Sequence, residues 1–357
     1  MASMSEAGGS LRTFYAGDVL MQSGRMLAGV ELVYEVHGEM NEDKSNVILH
    51  PTSFGASHSD LRYRIGEGGK FTLDTSQHCV IVCNLLGNGV SSSPSSSSSL
   101  RPAPTLEDWA WPSMYDNVKL MRRLIKEELK LSCPLAMIFG YSMGAMAALH
   151  FASLFPSDVE RVAAVCGVAC TSDYNKVFLS SLREGLCADG AWDEEKKMFT
   201  CKPVRGLRAF GSIYAGWGLS PSFYRNKEFA SPSVGDFRSL EDFVERGYVE
   251  GFQGCEPHDL LAMLHTWYTG DIGNNDMFLG DRRKAFKAIQ ARVCYMPCET
   301  DRYFTVEDAA HEVELVDKAE LRVMPFSWGH RAGDPHRRGQ EEQDKWITKQ
   351  VKEMLET

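Results

Sequence analysis

The chain has 357 residues, 43% hydrophobic and 24% charged, which is the balance of a folded globular protein with room for one α/β core plus an insertion. A formal net charge of −10 sets up an average field that repels polyphosphates and anionic lipid heads, so nucleic acid and membrane surfaces are not expected partners. The ten cysteines include no CxxC pair and residues 1–12 contain no apolar signal core, so reduced thiols in a cytoplasmic protein are the expectation.

In chain order, Leu27–Val36, Asn46–His50 and Cys79–Leu86 alternate or run apolar in the manner of strands. The Ser- and Gly-rich stretches 50–60 and 87–104 read as loops. Val118, Leu120, Met121, Leu124, Ile125 and Leu129 recur at helical spacing among charged residues, which predicts an amphipathic helix over 116–130. The unbroken apolar run Leu135–Phe139 suits a central parallel strand buried on both faces, followed by a helix over 143–155 and a strand over 162–168. Residues 135–155 are apolar enough to imitate a membrane span, but Gly140, Ser142, Gly144 and His150 divide them into strand, turn and helix.

Regularity then fades. Glycines and aromatics crowd the stretch between Cys170 and Ala291, with helical pieces at 240–244 and 259–267. Strand and helix alternation resumes with strands at 293–296 and 321–325 and helices at 306–316 and 340–355. The expected fold is α/β, a mostly parallel doubly wound sheet with helices on both faces. Residues 1–169 and 291–357 would form its two parts, with 170–290 inserted as a largely helical cap.

Gly140-Tyr141-Ser142-Met143-Gly144 is a G-x-S-x-G pentapeptide between the buried strand and the buried helix. A turn that sharp strains the serine, and the flanking glycines permit it by removing side-chain clashes. The hydroxyl then stands above the sheet at a helix N-terminus, where positive partial charge favours a developing oxyanion. A serine hydroxyl needs a base, itself oriented by a carboxylate, and this architecture supplies them in the chain order Ser, Asp or Glu, His. Asp301 follows one late strand and His330 the next, at the strand C-terminal ends where such sites form. Glu299 and His336 are their nearest rivals. The oxyanion hole should combine the backbone N–H of Met143 with one from the loop His50-Pro51-Thr52-Ser53. Pro51 has no N–H, which leaves Thr52 as the expected donor and Ser53 as its alternative. Tyr214, Trp217, Tyr224, Trp267 and Tyr268 supply aromatic surface for either a pocket or the packing of the cap. His258 and His265 lack the i, i+4 spacing of a metal pair, and no metal or prosthetic group is expected.

With these residues in place, the chain resembles the homoserine O-acetyltransferase-like branch of the α/β-hydrolase superfamily. The similarity runs from about Leu32 to Leu355 and is carried by His50-Pro51-Thr52, Asn84 to Gly89 with Ser91 to Pro94, Asp116-Asn117-Val118, Gly140 to Ala145, Leu260 to Met263, Thr300-Asp301 and Gly329-His330. It implies an α/β-hydrolase fold and an enzyme with Ser142 as nucleophile, Asp301 as acid and His330 as base. The implied partners are a small-molecule ester, thioester or acyl-CoA, with CoA as substrate and not cofactor, and, since members of this branch often dimerise, a second copy of the chain. Tyr141 and Ala145 replace two glycines usual at the elbow of homoserine acetyltransferases. Arg331 stands where they carry an aspartate that holds the acceptor's amino group. A cation cannot neutralise an ammonium, so homoserine is a poor expected substrate. The stretches 206–210 and 214–220 resemble members labelled hydrolases or esterases. Serine-dependent hydrolysis is therefore the leading expectation, and transfer from acyl-CoA to another alcohol the alternative.

Overall fold

The computed structural model describes residues 9–96, 109–336 and 338–356; residues 97–104 of the expected serine-rich loop lie outside them. Eight strands make the central sheet: β1 (Ser10–Leu20), β2 (Met26–His37), β3 (Val47–Pro51), β4 (Cys79–Cys83), β5 (Met137–Tyr141), β6 (Arg161–Val165), β7 (Arg292–Met296) and β8 (Ala319–Leu321). Their spatial order is β1-β2-β4-β3-β5-β6-β7-β8. β2 runs antiparallel to both β1 and β4, and every pair from β4 to β8 is parallel. β3, β4 and β5 are buried along their whole length, as their unbroken apolar runs require of strands covered on both faces.

The longer helices among the described residues are α1 (Met114–Arg123), α2 (Met143–Leu154), α3 (Asp173–Cys187), α4 (Val204–Gly218), α5 (Pro257–Tyr268), α6 (Val306–Val313) and α7 (Glu341–Glu356). α1 begins in a reciprocal cap, Ser113 Oγ accepting from the Asp116 N–H while the Asp116 carboxylate accepts from the Ser113 N–H. It widens into a five-residue π turn at Leu124–Glu128, so the expected helix over 116–130 is present with an altered last turn. Every residue of α2 is buried, which explains why this helix carries no polar face. No helix among the described residues is long and apolar enough to cross a membrane.

Two strands differ from expectation. β1 was not anticipated; its pairing with β2 shifts register on both sides of Gly17, and those bulges break the two-residue alternation that marks a strand. The last strand was expected over 321–325 and lies at Ala319–Leu321, with Met324 joined to Cys298 only by an isolated bridge. Pro325 has no N–H to extend the ladder.

Between β6 and β7 the chain forms α3, α4, the short helices Pro221–Arg225 and Leu240–Val244, α5, and a two-stranded ladder pairing Trp192–Asp193 with Met198–Phe199. Aromatic rings bind this segment to the sheet's C-terminal end. Phe178 stacks on Tyr303 at 4.8 Å between ring centroids, and Trp267 on Phe304 at 5.4 Å. Each such pair adds about 0.5–1.5 kcal/mol beyond the area it buries.

Candidate active site

Ser142 joins β5 to α2 with φ 56° and ψ −124°, a conformation that costs a non-glycine residue about 1–3 kcal/mol and persists only when its neighbours enforce it. Its N–H donates to Val165 O at 2.9 Å, and its carbonyl accepts from the Ala145 and Met146 N–H groups at 2.9 and 3.1 Å. The glycines make the turn possible by close approach. A Cβ on Gly140 would stand 2.3 Å from Gly144 O, and one on Gly144 would stand 2.6 Å from Pro51 O. The second contact also seats the first turn of α2 directly against the end of β3.

His330 lies on a 3-10 turn, Gly329–Gly333, and Asp301 in the loop after β7. Thr300 ties the two loops together: its Oγ1 donates to Phe326 O at 2.7 Å and accepts from the Gly329 N–H at 3.0 Å. The result is a continuous chain of hydrogen bonds. His330 Nε2 is 3.0 Å from Ser142 Oγ, and His330 Nδ1 is 2.7 Å from Asp301 Oδ2. The other Asp301 oxygen accepts the N–H groups of Tyr303 and Phe304 at 3.1 and 3.2 Å. All three side chains are buried, at 2%, 7% and 2% exposure for Ser142, Asp301 and His330. Glu299 and His336 are exposed, and His336 pairs with Asp334.

Met143 is the first residue of α2, where a backbone N–H has no carbonyl one turn back to bond. Thr52 does not meet the expectation set for it. Its N–H donates to Cys83 O at 2.9 Å, which prolongs the β3–β4 pairing by one residue, and its Oγ1 accepts from the Leu85 N–H. Ser53, next along, lines the same cleft as Ser142.

That cleft encloses about 1570 Å³, and Ser142 and His330 open onto it with Ser53, Phe54, Tyr214 and Phe252. Of the five aromatics singled out in the sequence, only Tyr214 lines it; Trp267 is fully buried against Phe304, and Tyr268 is 42% exposed. Rings that sequence reasoning passed over pack the base instead: Tyr303 at 4.2 Å, Tyr141 at 4.9 Å and Phe304 at 5.5 Å from the His330 centroid. The position of Tyr303 and Phe304 directly after Asp301 was the available signal. His258 pairs with Glu256, and His265 packs on Trp111. The ligand atoms of Cys166, Asp301 and His330 lie within 4.8 Å of one another. Burial, then the charge of Asp301, push the Cys166 thiol well above its ordinary pKa.

Residues 46–247 match the α/β hydrolase fold family. The chain is 32% identical over 315 residues to an ethyl acetate hydrolase of Pseudomonas veronii, covering 88% of this chain and 87% of that one. It is 27% identical to a homoserine O-acetyltransferase of Zymomonas mobilis, over 86% of this chain and 87% of the relative. Among solved structures, an acetylester hydrolase of Corynebacterium glutamicum superposes with a TM-score of 0.88 at 27% identity, covering 98% of this chain and 96% of that one. The chain is therefore an enzyme of the α/β-hydrolase family, in the branch that holds both acetyl esterases and homoserine O-acetyltransferases.

Proposed function

We propose that the protein hydrolyses small esters through an acyl-Ser142 intermediate, with His330 as base and Asp301 as its orienting acid. The observation that carries this reading is the unbroken hydrogen-bond chain Asp301–His330–Ser142 ending at a cleft. His330 Nε2 takes the hydroxyl proton as Ser142 Oγ bonds to the ester carbonyl carbon, and the carbonyl oxygen becomes an oxyanion. The Met143 N–H and the Ser53 N–H are the donors assigned to it, Ser53 taking the place first given to Thr52. His330 then hands the proton to the departing alcohol. Water repeats the sequence on the acyl-serine, and the acid leaves with Ser142 restored.

Residues 170–290 act as a cap in this reading, since Tyr214, Tyr248 and Phe252 of that segment line the cleft facing the serine. The cleft exceeds the roughly 300–1000 Å³ of an ordinary small-molecule pocket, which leaves room for the hydrolytic water beside a short ester. The ethyl acetate and acetyl ester hydrolases among the relatives point to short acyl groups. Mass spectrometry during turnover of p-nitrophenyl acetate tests the proposal: an acetyl adduct on Ser142 and loss of activity in Ser142→Ala are expected. Full activity in Ser142→Ala overturns it.

The homoserine O-acetyltransferase relatives favour a second reading, in which an alcohol discharges the same acyl-serine and acetyl-CoA is the donor. Acetyl-CoA consumption that requires an added alcohol would select it. Acetate released at the same rate without acceptor would select hydrolysis.

A further inference from the structure

Arg331, the residue after the base, opens onto the cleft that holds Ser142 and His330. Its side chain is 18% exposed, and its Nη1 pairs with Asp334 Oδ2 at 3.1 Å. Nη2 lies 3.2 Å from a His336 ring nitrogen, while Nε is buried with no hydrogen-bond partner among the described residues. Asp334 cannot offer more. Its Oδ1 already accepts from Tyr63 OH at 2.7 Å and lies 3.4 Å from Arg64 Nη2, and its Oδ2 also faces His336 Nδ1 at 3.1 Å.

The charge count is uneven as well. Arg64 is 1% exposed, its guanidinium set over the Tyr63 and Phe139 rings at 4.8 and 5.2 Å. Asp334 is the one carboxylate in contact with both guanidinia among the described residues. Burial alone would raise its pKa, but Arg331, His336 and Arg64 outweigh burial and hold it well below the ordinary range, so it is ionised at neutral pH. Arg331, at the wall of the cleft, thus shares the Asp334 carboxylate with the buried Arg64 behind it. Arg331 lines the cleft with its Nε unmatched, and Nη2 is met only by the exposed His336 ring, which a substrate carboxylate would displace to take the two parallel hydrogen bonds of the Nε–Nη2 edge.

We propose that Arg331 is a specificity-determining residue that binds a carboxylate on the substrate, so that the preferred substrates are short esters bearing a free carboxylate. The inference rests on the hydrolase reading, and it narrows the substrate class. The negative net charge of the whole chain does not oppose it, because the Arg331 guanidinium dominates at contact distance while distant surface charges are screened.

The test compares esters with their amide isosteres. The acetyl ester of 4-hydroxybutyrate and that of 4-hydroxybutyramide place the carboxylate or its neutral mimic on the alcohol; monoethyl succinate and ethyl succinamate place it on the acyl group. In the wild type, at least one carboxylate ester should exceed its amide in kcat/KM by about tenfold or more, the worth of a charge-assisted hydrogen bond. Arg331→Met should bring that ratio close to one, and Arg331→Lys should restore part of it. Equal rates for both members of both pairs in the wild type, or an unchanged ratio in Arg331→Met, overturn the proposal. Calorimetry with 4-hydroxybutyrate and 4-hydroxybutyramide on the wild type gives an answer that needs neither turnover nor a folded variant. Tighter binding of the anion supports the site on the alcohol side, and equal binding together with equal rates for the two succinyl esters refutes the proposal. Wild type inert toward all four esters and toward p-nitrophenyl acetate would instead sink the hydrolase reading, with the calorimetry still reporting on the carboxylate site.

Discussion

Asp301→Asn is the most exacting test of the proposed triad, because the structure dictates which way the amide must face. One Asp301 oxygen accepts two backbone N–H groups, from Tyr303 and Phe304, and the other faces His330 Nδ1 at 2.7 Å. The amide oxygen of the variant must take the first position, since an NH2 group there would meet two donors. The NH2 is then left pointing at His330 Nδ1 and donates to it. The imidazole is held with its proton on Nε2, and it can no longer accept the proton of Ser142. In serine proteases the equivalent change lowers kcat by about 10⁴, or roughly 5.5 kcal/mol of transition-state stabilisation. A similar loss is expected here in steady-state hydrolysis of p-nitrophenyl acetate. The thermal midpoint should stay near that of the wild type, because both N–H groups keep their acceptor. Asp301→Ala, which leaves them without one, should cost about 1–3 kcal/mol of stability in addition. An Asp301→Asn enzyme that retains more than about a tenth of its activity would refute the tautomer argument and with it the role assigned to Asp301.

Two further substitutions probe the scaffold. Gly140→Ala would drive a Cβ to 2.3 Å from Gly144 O, a backbone atom at the first turn of α2, so a stability loss of about 1–3 kcal/mol or more in urea denaturation and a fall in kcat through displacement of Ser142 are expected. Wild-type values for both would show that the elbow relaxes at no cost. Glu312 is buried and accepts the N–H groups of Ala169 and Cys170, the segment that follows β6. Burial pushes its carboxyl up to about 8 against these hydrogen bonds, from an ordinary value of 4.5. Between those values the folded chain holds a proton that the unfolded chain has released. The stability linked to this group is therefore complete below about pH 4.5 and is lost as pH rises through about 8, at no more than about 1.4 kcal/mol per pH unit. Glu312→Gln should flatten the decline; urea midpoints at pH 5, 6.5 and 8 that fall in parallel for both proteins would contradict this.

The parts of the site that were legible in the sequence are those set by short-range geometry. The run from Leu135 to Phe155 fixes strand, turn and helix within 21 positions, and Ser142 sits at their junction because only a glycine-flanked residue can. Asp301 and His330 could be nominated because each follows a strand. The choice between Thr52 and Ser53 was of another kind. It depends on where β3 stops pairing with β4, and the contact that moves the proposal to Ser53 is Thr52 N–H to Cys83 O, between the end of one strand and another. β1 was hidden for a local reason, the bulges around Gly17 having cancelled its alternation. The Arg64–Asp334–Arg331 cluster could not be read at all, since Arg64 and Asp334 are 270 residues apart in the chain and neither lies in a motif.

The base and the proposed carboxylate site belong to one mechanical unit. His330 and Arg331 are consecutive on a 3-10 turn, where successive side chains diverge by about 120°, so one turn can aim the imidazole at Ser142 and the guanidinium along the cleft. The turn is pinned from several sides. Tyr141 OH donates to His330 O at 3.2 Å, Gln340 Nε2 and the Asp334 N–H donate to Arg331 O at 2.6 and 3.2 Å, and Gly329 N–H is held by Thr300. A change at position 331 that releases the Asp334 pair therefore also loosens the base, and it must lower the rate on every ester to some degree. That common loss cancels in the ratio of a carboxylate ester to its amide isostere, whereas binding of the carboxylate by Arg331 does not. The ratio separates recognition from positioning; an absolute rate would confound them.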